Sequence, residues 1–220
     1  MNVASNQSNT RGVRLTIISL LVFVTLVLVG FIHKINQPRI LNAYELREKG
    51  AVLLQTPRKF SEFELTDHRG QPFGSAELTG KWSLLFFGFT HCPDICPTTM
   101  AAAAKMYEAL EPEEKEQLQI VLVSLDPERD TTEKLSQYVP YFNADFIGAT
   151  GNQYVLLKLA AELNVAFSKV PLENGGYTID HGANMVLVNP YGHYHGFFKP
   201  PFEERNMRMA WRSIMATFDQ

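Results

Sequence analysis

Both cysteines of the chain lie in one short segment, Cys92-Pro-Asp-Ile-Cys96. The residues that precede it, from 82 to 89, are almost all apolar or aromatic, which is typical of a strand buried on both faces of a parallel sheet. The residues after Pro97 are rich in strong helix formers. The sequence therefore predicts a strand, a turn that carries Cys-x-x-x-Cys, and a helix.

A thiol at the start of a helix ionises more readily than a free thiol. Unpaired backbone N–H groups at a helix start favour a thiolate and lower its pKa from the free value of about 8.5. Pro93 and Pro97 each follow a cysteine directly and restrict the backbone at both sulfurs. We therefore expect a preorganised site with a reactive or metal-binding thiol.

The spacing of the two cysteines allows more than one kind of bond. A helical backbone would place their Cβ atoms at about 5–6 Å, whereas the mean separation in disulfides is about 3.8 Å. A labile disulfide and a two-sulfur metal clamp both fit. A purely structural disulfide is the weaker hypothesis, because closing a loop of about five residues removes little chain entropy from the unfolded state.

A metal held by two thiolates generally recruits a third donor, and histidine is the commonest. Among the six histidines, we select His181, which stands directly before a predicted buried strand, at the loop that faces the cysteine turn in a thioredoxin arrangement. His193 and His195, which alternate along one predicted strand, are the alternative pair. His91 adjoins the first cysteine, but its side chain is expected to point the other way. Asp180 either orients an imidazole or is a solvated surface residue.

The first 58 residues divide into three predicted parts. Residues 1–14 form a polar tail, predicted to be cytoplasmic; residues 15–32 are uncharged and mostly apolar; and residues 33–58, with charges and prolines, are predicted to be a tether. The apolar part, as a helix of about 1.5 Å per residue, is about 27 Å long, close to the roughly 30 Å hydrocarbon core of a bilayer. We therefore expect a single membrane span.

A cleaved signal peptide is the alternative interpretation of this segment. Its apolar region is usually about 7–15 residues long and ends in an A-x-A-like site, and residues 28–31 form a poor one. Basic residues flank both ends of the apolar segment, so the positive-inside rule leaves its orientation open.

From residue 59 to 220, strands and helices alternate over about 160 residues, enough for one domain with a core of its own. The predicted elements are a hairpin over 60–73, the cysteine strand and helix, a strand over 119–125, a helix over 132–139, a strand over 146–149, a helix over 154–163, two strands within 164–178 separated by Glu173-Asn-Gly-Gly, strands over 183–188 and 193–199, and a helix over 203–218. This alternation predicts an α/β domain with a largely parallel sheet. A βαβ half followed by a β-hairpin and a helix is the thioredoxin arrangement, here with an N-terminal β-hairpin extension.

The charge of the chain and its distribution bear on one class of partner, the nucleic acids. The formal net charge is -3, and no basic run with interleaved aromatic residues occurs. The sequence therefore gives no support to nucleic-acid binding.

Four segments occur in order between residues 55 and 219: Phe89-Thr-His-Cys-Pro-Asp-Ile-Cys-Pro97, Ser124-Leu-Asp-Pro-Glu-Arg-Asp130, Asp180-His181 and Asn189-Pro-Tyr-Gly192. Together they resemble the Sco/SenC proteins, the copper-binding assembly factors of cytochrome c oxidase. Two departures are Gly182, where many members have Ser, and Tyr191, which replaces a common Asp. Neither position is among the ligands that the resemblance implies.

The resemblance implies a membrane-tethered thioredoxin-like domain that binds one copper ion, Cu(I) or Cu(II), through Cys92, Cys96 and His181. It also implies delivery of this copper to the binuclear copper site of cytochrome c oxidase subunit II, or reduction of the receiving cysteines there. Two soft thiolates suit Cu(I), and a nitrogen donor adds affinity for Cu(II). Zinc accepts the same donors but usually takes four.

The same resemblance implies where the domain works and what it needs. A labile dithiol and an uncleaved anchor favour a bacterial inner-membrane protein with its C-terminal domain in the periplasm. The thiols must be reduced before they bind metal. An upstream copper donor or a thiol reductant is therefore an expected partner.

Three other functions are alternatives at this stage. A thiol-disulfide oxidoreductase would attack with Cys92 and resolve with Cys96, and would turn over without metal. A copper or redox sensor would signal to a partner and transfer nothing. A peroxiredoxin-like peroxidase is weaker, because its Pro-x-x-x-Thr-x-x-Cys pattern would need a hydroxyl residue at Phe89.

Two acidic residues follow the strand that neighbours the cysteine strand. Asp126 and Asp130 lie at its carboxyl end, the edge where sites of α/β proteins collect. They either cap the next helix and pair with Arg129, or assist docking or the metal site.

Overall fold

The computed structural model describes residues 7–36, 39–173 and 175–218, and the chain divides into two compact units after Arg39. The first unit holds helix α1 (Gln7–Asn36). Its segment Gly12–Ile35 is long and apolar enough to cross a membrane, and its side chains are exposed. The predicted span lies within this segment. Residues 1–6 of the predicted tail lie outside the described residues, and the rest of that tail is helical.

The described part of the second unit contains an eight-stranded sheet, a two-stranded sheet and six α-helices. The strands are β1 (Ala51–Arg58), β2 (Glu64–Asp67), β3 (Pro72–Gly74), β4 (Trp82–Gly88), β5 (Leu118–Ser124), β6 (Ile147–Thr150), β7 (Phe167–Pro171), β8 (Tyr177–His181), β9 (Met185–Val188) and β10 (Tyr194–Phe198). The helices are α2 (Ala43–Glu48), α3 (Ile95–Glu108), α4 (Pro112–Glu116), α5 (Thr132–Tyr138), α6 (Gln153–Glu162) and α7 (Glu204–Phe218).

The main sheet has the strand order β1-β10-β9-β4-β5-β6-β2-β3 and is mixed. Only the pairs β4–β5 and β5–β6 are parallel. The prediction of a largely parallel sheet is therefore wrong. Parallel neighbours need a long crossover, which α3 and α5 provide, whereas β9 and β10 are joined by a short turn that forces them to be antiparallel.

The core is built around β4, in which all seven residues are buried. They pair in register with the seven residues of β5, so the most apolar part of the chain occupies the centre of the sheet. Helix α7 buries Met207, Ala210, Trp211 and Ile214, whose spacing places them on one face. This face packs with α3. The β4–α3–β5 unit and the β9–β10–α7 unit are the two predicted halves of a thioredoxin-like domain.

The predicted tether over 33–58 is wrong for most of its length. Helix α2 begins after Asn42, whose side chain forms a capping box with Glu45. Strand β1 pairs with β10 and forms one edge of the sheet. Three buried side chains join this segment to the core: Leu41, Leu46 and Ala51. An edge strand mixes exposed and buried residues, so its composition resembles that of a linker.

The second sheet consists of β7 and β8 alone, which pair antiparallel from Phe167 with His181 to Pro171 with Tyr177. We call this pair the histidine hairpin. Asn174, in the predicted turn between its strands, lies outside the described residues. The predicted N-terminal hairpin is also present, as β2 and β3, and β2 extends the main sheet beyond β6.

Candidate metal centre

The two cysteines lie at the junction of β4 and α3. Cys92 is in the turn between these elements, and Cys96 is in the first turn of the helix. The backbone N–H of Cys96 donates to Cys92 Sγ at 3.4 Å, and the backbone N–H of Phe89 donates to Cys96 Sγ at 3.5 Å. Each sulfur therefore accepts one hydrogen bond from the backbone, in the predicted strand–turn–helix setting.

The two thiols are both free but differ in burial. Cys92 is partly exposed, whereas Cys96 is fully buried. Burial raises the pKa of the Cys96 thiol well above its usual range, and the opposing hydrogen bond from the Phe89 backbone is the weaker effect. The expectation of a lowered pKa at the helix start is therefore wrong for Cys96, because desolvation outweighs the backbone donors.

A glycine at the end of β4 makes room for the buried thiol. A Cβ atom at Gly88 would lie 2.9 Å from Cys96 Sγ and 2.9 Å from the ring of Phe86. Such contacts are too close for a side chain to be accommodated without movement. Gly88 therefore lets the helix approach the strand closely enough to bury Cys96.

His181 brings a nitrogen to the buried sulfur. The sequence predicts a loop position for it, but it is the last residue of β8. Its Nε2 lies 3.3 Å from Cys96 Sγ. Its Nδ1 lies 2.9 Å from the carbonyl oxygen of Gly182, which only accepts, so Nδ1 carries the proton and Nε2 presents its lone pair. The rings of Phe86 and Phe89 flank the imidazole at 5.9 and 5.7 Å.

The imidazole is in the state that a metal requires. Burial lowers the pKa of His181, and the weaker effects of the Gly182 carbonyl and of the Asp180 carboxylate oppose this shift. The side chain is therefore neutral at neutral pH. A neutral imidazole is the form that ligates metal ions.

The ligand atoms of Cys92, Cys96 and His181 all lie within 4.8 Å of one another. Metal–sulfur and metal–nitrogen bonds of about 2.0–2.3 Å place three donors around one ion about 3.5–4.0 Å apart, so the group would have to contract to enclose one ion. Two sulfurs and one nitrogen suit a soft ion such as Cu(I). Among the described residues, no other group of three or more His, Cys, Asp or Glu side chains comes together in this way.

The other candidate histidines are not part of this group. His91 does not join the two cysteines in a ligand group, and its Nδ1 lies 3.1 Å from Thr90 Oγ1. The ring of His195 contacts Trp82, the first residue of β4, at 5.0 Å, so the alternative pair lies at the opposite end of this strand from the cysteines. Asp180 is exposed, and the carbonyl oxygen of Gly182 accepts the hydrogen bond from His181 Nδ1 in its place.

Asp130 ties the cysteine turn to the neighbouring strand. Its fully buried carboxylate accepts from the Thr90 N–H at 3.0 Å, the Thr90 hydroxyl at 2.6 Å and the Ser124 hydroxyl at 2.7 Å. Thr90 lies two residues before Cys92. The predicted helix cap is wrong for Asp130, because the side chain that caps α5 is that of Thr131.

Asp126 connects the same loop to the histidine hairpin. It is fully buried and forms the predicted ion pair with Arg129. It also accepts a hydrogen bond from the hydroxyl of Tyr177 at 2.7 Å. Partial burial and this carboxylate raise the pKa of Tyr177 to about 12, so its hydroxyl stays a donor.

Sequence reasoning did not single out Tyr177, Thr90 or Ser124. The positions of Thr90, just before the cysteine motif, and Tyr177, four residues before His181 on one strand face, are the only signals that could have drawn attention to them. Their partners are distant in sequence, 40 residues away for Thr90 and 51 for Tyr177. A single sequence does not reveal such pairings.

The SCO1/SenC family model matches residues 53–216. A protein of Stutzerimonas stutzeri that is described as copper-binding is 40% identical over 170 residues, which are 77% of this chain and 83% of that protein. The crystal structure of copper-bound ScoI from Arabidopsis thaliana superposes with a TM-score of 0.66 and 29% identity, over 72% of this chain and 99% of that one. Copper-bound yeast Sco1 gives a TM-score of 0.65 and 26% identity, over 74% and 90%. These similarities confirm the predicted family resemblance and thioredoxin-like fold.

Proposed function

Because the chain belongs to the SCO1/SenC family, we propose that it binds one copper ion, as Cu(I) or Cu(II), through Cys92, Cys96 and His181. The observation that carries this proposal is the convergence of their three ligand atoms within 4.8 Å. The two sulfurs are the ligands of choice for Cu(I), and the neutral imidazole adds affinity for Cu(II). The copper-bound structures of two relatives support the same metal.

In this proposal copper is a cargo that is handed to another protein. The recipient is the binuclear copper site of cytochrome c oxidase subunit II, as the family resemblance implies. A carrier must release its ion, and a site with three donors, one of them the partly exposed Cys92, leaves room for an incoming ligand. An upstream copper donor or thiol reductant prepares the site, since both thiols must be reduced to bind.

We place the protein in a bacterial inner membrane. Helix α1 would be a single-pass anchor, with the tail before it in the cytoplasm and the unit from Ile40 onward in the periplasm. The length and apolar character of Gly12–Ile35 support the anchor. A membrane-impermeant thiol reagent should label Cys92 in intact spheroplasts; labelling only after lysis would refute the orientation.

A thiol-disulfide oxidoreductase is the second candidate function, and the unequal exposure of the two thiols favours it. The partly exposed Cys92 could attack a disulfide of an extracytoplasmic target, and the buried Cys96 could resolve the mixed disulfide. The target would be the same oxidase subunit or another protein. His181 would have no role as a ligand in this function.

Copper binding by the reduced full-length chain in detergent separates the two functions. We expect one Cu(I) or one Cu(II) per chain for the wild type. The His181→Ala variant should keep Cu(I) on its two thiolates but lose or strongly change the Cu(II) absorption. His193→Ala, a control at a partly exposed position outside the site, should match the wild type.

Two results would contradict the proposal. One is a wild-type protein without copper binding that still exchanges disulfides, and this would favour the oxidoreductase. The other is a His181→Ala variant with the Cu(II) spectrum of the wild type, which would remove His181 from the ligand set.

A further inference from the structure

The strand that presents His181 is not held by the main sheet. Its described strand partner is β7, and the two strands form a sheet of their own. Only residues 182–184 connect His181 to β9, the nearest main-sheet strand along the chain. The position of the imidazole against Cys96 therefore depends on contacts that fasten the histidine hairpin to the rest of the domain.

Tyr177, at the other end of β8, makes several such contacts. Its hydroxyl donates to the fully buried Asp126 Oδ1 at 2.7 Å and lies 3.2 Å from Glu128 Oε2. Its backbone carbonyl accepts from Arg129 Nη1 at 3.1 Å. The guanidinium carbon of Arg129 lies 3.9 Å from the centre of the Tyr177 ring, close enough for a cation–π contact.

By fixing one end of β8, these contacts can restrict the position of His181 at its other end. Residues 177, 179 and 181 project from the same face of β8. Ile179, between the other two, is buried, so this face is turned toward the body of the domain. Arg129 also lies over the ring of Phe89, at 5.8 Å, and the centre of the same ring lies 5.7 Å from that of the His181 imidazole.

We propose that Tyr177, braced by Asp126 and Arg129, is a positioning residue that holds His181 against the two sulfurs and thereby sets the preference of the site for Cu(II). This inference rests on the proposed function. The cysteines are fastened separately, through Thr90 to Asp130, so a loosened histidine hairpin leaves the dithiol in place. Cu(I) needs only the thiolates, whereas Cu(II) retention needs the nitrogen donor.

The test is Tyr177→Phe in the full-length protein, which removes the hydroxyl and keeps the ring on Arg129. We expect Cu(II) affinity to fall about 10–100-fold, the usual cost of losing a group that orients a ligand, with an altered Cu(II) absorption and an unchanged Cu(I) affinity. The matched control is Tyr194→Phe, on strand β10, which removes a hydroxyl that is hydrogen-bonded to the side chain of Asn164. It should leave both affinities unchanged.

A readout without copper completes the test. Amide hydrogen exchange of the metal-free protein should be faster over residues 177–181 in Tyr177→Phe than in the wild type or in Tyr194→Phe. Normal copper binding by the wild type, with Tyr177→Phe identical to Tyr194→Phe in Cu(II) affinity and absorption, would overturn the inference and leave the proposed function standing. A wild type that binds no copper would overturn both. Equal losses of Cu(I) and Cu(II) affinity would also overturn the inference, because they indicate a general structural role.

Discussion

At the scale of single residues, Gly88 decides whether the buried thiol has room. A methyl group at this position would lie 2.9 Å from Cys96 Sγ and 3.3 Å from Leu122 Cδ1. We expect Gly88→Ala to cost about 1–3 kcal/mol of unfolding free energy through overpacking, and to weaken copper binding because the sulfur must move. Chemical denaturation and copper titration measure the two effects.

Gly148→Ala is the matched control for this change. Gly148 is in strand β6, and a Cβ atom there would lie 2.8 Å from Val139 Cγ2 and 3.2 Å from Leu135 Cβ. None of its three nearest atoms is a sulfur. The variant should lose a similar amount of stability but retain copper. If both variants bound copper equally well, Gly88 would have no special role at the site.

Asp130 is expected to hold the cysteine turn. Asp130→Asn replaces one accepting oxygen by an NH2 group, so at least one of the donors on Thr90 or Ser124 loses its acceptor. An unsatisfied buried polar group costs about 1–3 kcal/mol. We expect that loss in chemical denaturation, together with faster alkylation of Cys92.

The comparison for this variant is Asp145→Asn, which removes the same charge from an exposed position. Surface substitutions usually change stability by no more than about 0.5 kcal/mol. Equal stabilities and alkylation rates for the two variants would argue against a role of Asp130 in the turn.

How far single residues could be predicted depends on whether their partners are close in sequence. The cysteine pair was recognisable from its spacing, its prolines and its place between a strand and a helix. His181 was selected from its position before a buried strand, and the structure brings it to Cys96. The roles of Gly88 and Tyr177 depend on atoms that only the fold brings near. The only local signal for Tyr177 is the strand face that it shares with His181, and Gly88 has none.

At the scale of elements, the strand β10 and the end of α7 enclose a histidine far from the metal centre. The ring of His195 contacts Trp82 at 5.0 Å and Phe218 at 5.8 Å, and its Nδ1 lies 3.3 Å from Asn189 Nδ2. Burial lowers the pKa of His195. The unfolded chain therefore takes up a proton at a higher pH than the folded protein does.

The sign of the pH effect follows from this difference. Below about pH 6.5 the unfolded state binds more protons, so stability is lost as the pH falls from about 6.5 toward the folded-state pKa. His68 and His181 have lowered pKa values for the same main reason and act in the same direction. We expect the melting temperature of the metal-free protein to fall between pH 7 and pH 5.

His195→Phe should reduce this slope, because the ring remains in the aromatic cluster and no longer titrates. The variant also loses the hydrogen-bond acceptor for Asn189, which lowers its stability at every pH. The change of melting temperature with pH is therefore the quantity to compare, and not the melting temperature itself. His193→Phe, at a partly exposed position two residues away, should keep the wild-type slope. An unchanged slope in His195→Phe would mean that His195 does not contribute to acid sensitivity.

Elements were predictable where one pattern dominated. The apolar run of β4 and the helix formers of α3 indicated both elements. The short helix α4 was not predicted, but the order of the strands and α-helices from β5 onward was correct. The strand directions of the sheet were not, because direction depends on which strands become neighbours. Strand β1 was missed, since only one of its eight residues is fully buried.

At the scale of the whole molecule, the correction to the tether changes where a stable fragment begins. Residues 40–220 include α2 and β1, whereas residues 59–220, the predicted domain, lack both. The shorter fragment loses the buried side chains of Leu41 and Leu46, worth about 1.5–3 kcal/mol each. It also exposes β10 as a new sheet edge, which favours aggregation.

We therefore expect the fragment 40–220 to be soluble and to unfold cooperatively. The fragment 59–220 should aggregate or melt at least about 6 °C lower, since about 1 kcal/mol corresponds to about 2–4 °C at this size. Thermal unfolding followed by circular dichroism, with size-exclusion chromatography, makes the comparison. Identical melting curves would show that α2 and β1 are dispensable for the fold.

The unequal burial of the two sulfurs would set the order in which a metal ion gains and loses its bonds to them. Cys96, in the first turn of α3, is fully buried, so its sulfur is not exposed at the surface of the folded domain. Cys92 is partly exposed, so an incoming ligand or ion would meet its sulfur first. If the domain carries an ion, the ion would therefore bind Cys92 before Cys96 on arrival and, by microscopic reversibility, would release Cys96 before Cys92 on departure. A recipient would therefore have to present its own ligands on the side of the domain where Cys92 is exposed.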